Sequence, residues 1–135
     1  MHVRQNWDNF VPDMQKDKTL VLGASEEPSR YSNMAIRMLR KHGHPVVAIG
    51  RKEGQVEDVP IETGSTDRPD IDTVTLYMNP MHQRPLQDWI ISLAPRRIIF
   101  NPGTENPELQ SIAAEHGIES LEACTLVMLS TGVYL

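Results

Sequence analysis

Apolar residues in this chain fall in short unbroken runs, separated by polar segments whose apolar positions recur at helical spacing. Thr19-Leu20-Val21-Leu22, closed by Gly23, is the first such run. A continuous rather than alternating apolar pattern predicts a strand buried on both faces, as in a parallel sheet. Pro45 to Ile49 repeats the pattern and ends at Gly50, and Asp72 to Met78, Arg97 to Phe100 and Ile118 to Leu121 extend the series. Val59 to Glu62 reads as a further short strand. Between the runs, Ser32 to His42 predicts a helix with Ala35, Ile36 and Leu39 on its apolar face, Lys41 and His42 in its last turn and Gly43 as the residue that stops it. Pro80 to Ala94 predicts a second helix with Leu86, Trp89, Ile90 and Leu93 turned inward. Asn106 is placed to cap a third, with Pro107 at its favoured first position and an end near His116-Gly117. The segment CTLVMLSTG (124–132) predicts a short helix stopped at Gly132.

Strands alternating with helices imply right-handed crossovers. The expected architecture is one α/β, Rossmann-like domain over residues 18–135, a parallel sheet with helices on both faces. Residues 1–17 show no sustained periodicity and read as an N-terminal arm in which Trp7, Phe10 and Met14 are available to pack.

Composition narrows the class. A length of 135 residues suits one domain, and 23% charged with 39% hydrophobic residues is ordinary for a globular protein. A net charge of −5 and a pI near 5.5 argue against nucleic acid or anionic lipid as partners. No apolar run approaches the roughly 18 to 20 residues that span a bilayer. The N-terminus has no apolar signal core, and the single cysteine, Cys124, fits a reducing compartment, so a cytoplasmic location is expected.

In sheets of this kind ligands lie beyond the carboxyl ends of the strands. The loop after the first strand reads Gly23-Ala24-Ser25-Glu26-Glu27-Pro28-Ser29-Arg30 and lacks the second and third glycines of a dinucleotide fingerprint. Gly23 permits a tight turn, Ser25 offers a hydroxyl, and the free N–H groups of the following helix form an anion site to which Arg30 adds a bidentate donor. The alternative is a plain turn with Arg30 as a solvated charge. At the tip of the second strand, where an NAD-binding fold carries an Asp or Glu for the ribose hydroxyls, this chain has Gly50-Arg51-Lys52. Two cations there favour a phosphorylated ribose, as in NADP or coenzyme A, unless they are simply a solvated basic pair. The acidic pair Glu26-Glu27 is expected to point to solvent.

Taken in order, LVLGASEEPSRYSNMAIRMLRKHGHPVVAIG (20–50), LYMNP (76–80), FNPGTENPEL (100–109) and EACTLVML (122–129) resemble the small stand-alone CoA-binding proteins, relatives of the CoA-binding domain of succinyl-CoA synthetase. The resemblance covers about residues 18–131. It implies coenzyme A, or an acyl-CoA, along the carboxyl edge of a Rossmann-like sheet. Gly23, Ala24, Ser25, Pro28, Arg30, Tyr31 and Ser32 would then surround the pyrophosphate. Gly50, Arg51 and Lys52 would lie near the adenosine and its 3′-phosphate, Met78, Asn79 and Pro80 along the adenine or pantetheine path, and Asn101, Pro102 and Gly103 on the far side. Many members carry Asn-Pro where this chain has Gly50-Arg51, which is a departure.

No catalytic set stands out. Succinyl-CoA synthetase uses a phosphorylated histidine in a domain this chain lacks. Here His42 and His116 fall at helix ends, His44 precedes Pro45, and only His82 lies near the ligand edge. There is no metal-ligand spacing, no Gly-x-Ser-x-Gly elbow and no P-loop lysine. Cys124 reads as a small buried hydrophobe, or else as a thiol able to form a mixed disulfide with a bound coenzyme. Tyr31, Tyr77 and Tyr134 are candidates to stack on adenine. The expectation is a CoA carrier, sensor or accessory module without catalysis of its own. An NADP-binding, reductase-like protein is the alternative, and a homodimer is expected on base rate alone.

Overall fold

The computed structural model describes residues 16–135, so the reading of Trp7, Phe10 and Met14 lies outside the described residues. Seven strands form one sheet: β1 (Lys18–Ala24), β2 (Val46–Gly50), β3 (Gly54–Val56), β4 (Val59–Glu62), β5 (Ile71–Leu76), β6 (Arg97–Phe100) and β7 (Glu119–Glu122), in the order β3-β4-β2-β1-β5-β6-β7. All neighbouring pairs are parallel except β3 with β4. This is the expected α/β, Rossmann-like domain with one antiparallel edge. The unpredicted strand, β3, has only three residues and makes a hairpin through Glu57-Asp58. Arg40 clamps that turn, donating from Nη2 to Asp58 Oδ2 at 2.8 Å and from Nε to Oδ1 at 3.1 Å.

The continuous apolar runs are explained by two cores, one on each face of the sheet. Leu20, Leu22, Val74, Leu76, Ile98 and Phe100 pack with Ile90, Leu93 and Leu109 on one side. Val21, Ala48, Ile61 and Ile99 pack with Ile36, Leu39, Met128 and Leu129 on the other. The second face is covered by α1 (Tyr31–Lys41) and a short terminal helix (Thr125–Ser130).

The segment read as one helix over 80–94 is instead three pieces. α2 (Pro80–Gln83) is capped by Asn79, a 3₁₀ turn covers Arg84–Leu86, and α3 (Gln87–Ser92) follows. Pro85 supplies no N–H and cannot sit inside a regular helix, so the chain tightens there. α4 (Pro107–Glu115) begins as expected, with Asn106 Oδ1 accepting from the Leu109 N–H at 3.1 Å. α1 and α4 end in the same motif, in which Gly43 and Gly117 take positive φ. The following N–H, of His44 or Ile118, then reaches back to Leu39 O or Ala113 O. His42 and His116 each donate Nδ1–H to the carbonyl four residues earlier, Met38 and Ile112, which fits their place in the last turn. The terminal helix, α5 (Thr125–Ser130), closes at Gly132.

At the amino edge of the sheet the C-terminus folds back. Tyr134 Oη and Thr19 Oγ1 share a buried 2.6 Å hydrogen bond, the Arg97 guanidinium lies 4.5 Å from the Tyr134 ring centre, and His44 meets the ring edge-on at 4.9 Å. Tyr134 is therefore a structural staple, at the end of the strands opposite from any adenine site.

Burial, more than the neighbouring His42 and Arg97 charges, pushes the His44 imidazole below its ordinary value near 6.5. The unfolded chain then takes up this proton before the folded one does, so stability falls as pH drops from about 6.5 towards the lower folded value. For Asp72 burial acts upward, but the bonds from Arg96 and Thr73 outweigh it, and its contribution is lost as pH falls from about 3.8 towards the lower folded value. We expect the melting temperature of the native protein to decline between pH 7.5 and 5. His44→Gln should flatten that decline, as thermal scans at five pH values would reveal, and an unchanged slope would refute the assignment.

Candidate functional site

The central strands β2, β1 and β5 end close together at the carboxyl edge. Gly23 has φ +98, and a Cβ there would lie 2.9 Å from the Tyr77 carbonyl oxygen, so β1 and the segment after β5 touch backbone to backbone. A Cβ on Gly50 would overlap the Ala24 carbonyl oxygen. The strand register shifts at this point, between Leu22 and Ala24. Side chains are thus excluded from the place where a ligand would enter.

The loop Ser25–Arg30 is held by local bonds. Ser25 Oγ accepts from the Glu27 N–H at 3.0 Å, the Arg30 N–H reaches Glu27 O at 3.0 Å, and the buried Asn33 donates Nδ2–H to Ser25 O at 2.9 Å. Arg30 is the residue before the helix, and the first bonds of α1 start with Asn33 and Met34 donating to Arg30 O. The N–H groups of Tyr31 and Ser32 precede them, pointing outward at the positive end of the helix.

Two openings flank this loop. A cavity of about 1070 Å³ is lined by Gly23, Ala24, Ser25, Pro28 and Arg30 of the loop, Gly50, Arg51 and Lys52 after β2, and Met78 and Asn79 after β5. A groove of about 230 Å³ adjoins it and shares Gly23, Arg30, Tyr77, Met78 and Asn79. Tyr31, Ser32, Pro102, Gly103 and Thr104 complete the groove. Of the residues singled out in the sequence, Pro80 and Asn101 line neither. Pro80 opens α2. Asn101 is 3% exposed and fully engaged, donating to Thr75 Oγ1 at 2.7 Å and Leu76 O at 2.9 Å while accepting from the Thr125 N–H at 2.8 Å.

Behind the residues that line the groove lies a buried set of carboxamides. Gln83, 0% exposed, donates to both Met78 O and Thr104 O at 2.8 Å, and Asn106 donates to Gln83 Oε1 and Gln87 Oε1. These bonds tie the segment after β5 to the turn after β6.

Several lining residues were not picked out as site residues. Leu86 and Trp89 pack against the core, as expected, but are half-buried and also border the cavity with Pro85, Gly64 and Ser65. Trp89 donates Nε1–H to Thr66 O at 2.8 Å and so fixes the 63–70 segment. Apolar periodicity marked their face of the helix but not whether protein or an open cleft would cover it. Tyr77 lines both openings, and burial pushes its hydroxyl up to about 12, so it stays neutral. His82 borders the cavity, as expected of the histidine nearest the ligand edge. Cys124 is half-buried and lines neither opening.

Glu26 is exposed, as expected, and also makes a long-range bond. Its Oε2 accepts from the backbone N–H of Gln55 at 2.8 Å, bridging the first loop to β3, whereas Glu27 stays at the exposed turn. The cavity rim thus carries Arg30, Arg51 and Lys52 alongside Glu26, Glu27 and Glu53. Among the described residues no His, Cys, Asp and Glu cluster is suited to a metal ion, and no helix is long and apolar enough to cross a membrane.

A family model described as "CoA binding domain" matches residues 17–130. No curated protein matches the chain. Among solved structures, a crystal structure of an uncharacterized protein is 48% identical, with a TM-score of 0.84, covering 87% of this chain and 98% of that one. A hypothetical protein from Pyrococcus horikoshii OT3 is 25% identical (TM-score 0.75, 93% and 89% covered). A Thermus thermophilus protein at 19% identity shares the fold, with a TM-score of 0.76 over 96% and 98% of the two chains.

Substituting Gly50→Ala should displace the first loop and cost about 1–3 kcal/mol, the scale of locally stored strain. Gly43→Ala, with open space around its Cβ, should cost about 1 kcal/mol through its positive φ alone. Urea titrations of both variants check the order, and equal losses would argue against a tight carboxyl edge.

Proposed function

The chain belongs to the CoA-binding domain family, and we propose that its cleft holds coenzyme A or an acyl-CoA as a carrier, sensor or accessory module rather than as an enzyme. The observation that carries this reading is the pairing of the bare backbone at Gly23 and Gly50 with two cations at the tip of β2. Arg51 and Lys52 are exposed and, among the described residues, form no ion pair, so their charges are open to a phosphate. The pyrophosphate would lie against Gly23–Ser25 and the N–H groups of Tyr31 and Ser32. The adenosine would occupy the larger cavity, where Leu86 and Trp89 offer apolar surface. The pantetheine arm would leave along the smaller groove between Asn79 and Gly103.

A cavity of about 1070 Å³ is on the scale of small-molecule sites, roughly 300–1,000 Å³. Among the described residues no nucleophile in the cleft is hydrogen-bonded to a histidine. A 2′-phosphate would suit Arg51 and Lys52 equally well, and NADP is therefore the second reading.

Thermal shifts with coenzyme A, dephospho-CoA, NADP and NAD at fixed salt decide between them. A ligand at 100 times its dissociation constant adds about 2.7 kcal/mol. We expect the largest shift with coenzyme A, a smaller one with dephospho-CoA and the least with NAD. Replacing Arg51 and Lys52 together by alanine should remove the difference between the first two ligands. A shift with NADP alone would transfer the reading to a reductase-like protein, and no shift with any of the four would end both.

A further inference from the structure

A carboxylate inside a phosphate-binding cleft needs a reason, because it repels the phosphates the loop would hold. Glu26 is not free to swing away. Its Oε2 is held by the Gln55 N–H at 2.8 Å, and its side chain lies across Gly54, where a Cβ would come within 2.5 Å of Glu26 Cδ and 2.6 Å of Cγ. Gly54 therefore keeps open the one path by which Glu26 crosses to β3. The carboxylate lies at the rim of the cavity that Gly50, Arg51 and Lys52 also line. No described residue donates to its second oxygen, Oε1.

This is the region where Rossmann-type sheets present an acidic side chain from the tip of the second strand to accept from ribose hydroxyls. Here that tip carries cations, and the acid arrives from the first loop instead. We infer that Glu26 is a specificity-determining residue of the cleft, accepting a hydrogen bond from the free 2′-hydroxyl of a ribose whose 3′-hydroxyl carries the phosphate bound by Arg51 and Lys52. A carboxylate accepts from a hydroxyl and repels a phosphate, and a guanidinium or ammonium does the reverse. Side by side, they select a sugar bearing one of each. The inference rests on the coenzyme A reading.

The test is calorimetric titration of the native protein, Glu26→Ala and Glu26→Gln with adenosine 3′,5′-bisphosphate and with its 2′-deoxy analogue. Glu26→Gln keeps an acceptor for the Gln55 N–H, and its melting temperature checks that the fold is intact. The native protein should bind the deoxy compound roughly tenfold or more weakly, the range for a hydrogen bond to a charged group. Glu26→Ala should bring the two affinities together, with Glu26→Gln between. An unchanged ratio in Glu26→Ala, or a native ratio of one, overturns the inference while leaving the coenzyme reading standing. Binding of coenzyme A with no binding of either bisphosphate also overturns it. If coenzyme A itself fails to bind the native protein, the coenzyme reading falls and this inference falls with it.

Discussion

Three backbone segments meet at the carboxyl edge of the sheet with no side chain between them, and the rest of the site depends on that approach. Gly23 lies against the Tyr77 carbonyl and Gly50 against the Ala24 carbonyl, so β1 is pinned to both neighbours where its chain turns away. Any larger residue at either place would separate strands that are buried on both faces and cannot relax towards solvent. Because the edge is bare, the amides that begin α1 and the openings on either side become one continuous surface.

Around this bare centre the two walls are fixed by different means. On the groove side the means is a set of buried bonds in which the Gln83 carboxamide holds the Thr104 carbonyl, the Asn106 carboxamide holds Gln83 and Gln87, and the Thr104 hydroxyl donates to the Asn101 main-chain carbonyl. Each such bond is worth only about 1 kcal/mol net, but losing one partner strands a buried polar group. On the cavity side the anchors are single long-range contacts: Trp89 to Thr66 O and Glu26 to the Gln55 N–H. The groove side thus rests on buried bonds, whereas the cavity rim is an exposed, mixed-charge surface.

That mixture accounts for a weakness of composition as a guide. A net charge of −5 describes the whole chain, yet the cleft rim holds three cations and three carboxylates. A phosphate site needs only local potential, set by N–H groups and by cations without partners, and a global sum does not report it.

The sequence by itself determined whatever is settled within a few residues. Continuous apolar runs closed by turn residues read as strands covered on both faces, the helical run over 126–129 excepted. Asn106-Pro107 opens a helix because both residues satisfy or dispense with N–H groups that have no other partner, and Gly43, Gly117 and Gly132 close helices by taking a backbone shape other residues resist. The Gly-Ala-Ser loop and the Arg-Lys pair were legible for the same reason, as local departures from a known turn. Tertiary structure decided everything that needs a distant partner. Glu26 finds its donor 29 residues away, and Tyr134 finds Thr19 across 115. Leu86 and Trp89 are half-buried, packed against the core on one side and open to the cavity on the other, with the segment after β4 held beside them by the Trp89 indole. Helical spacing records that a face is apolar. Only the packed chain decides whether protein or a ligand covers it.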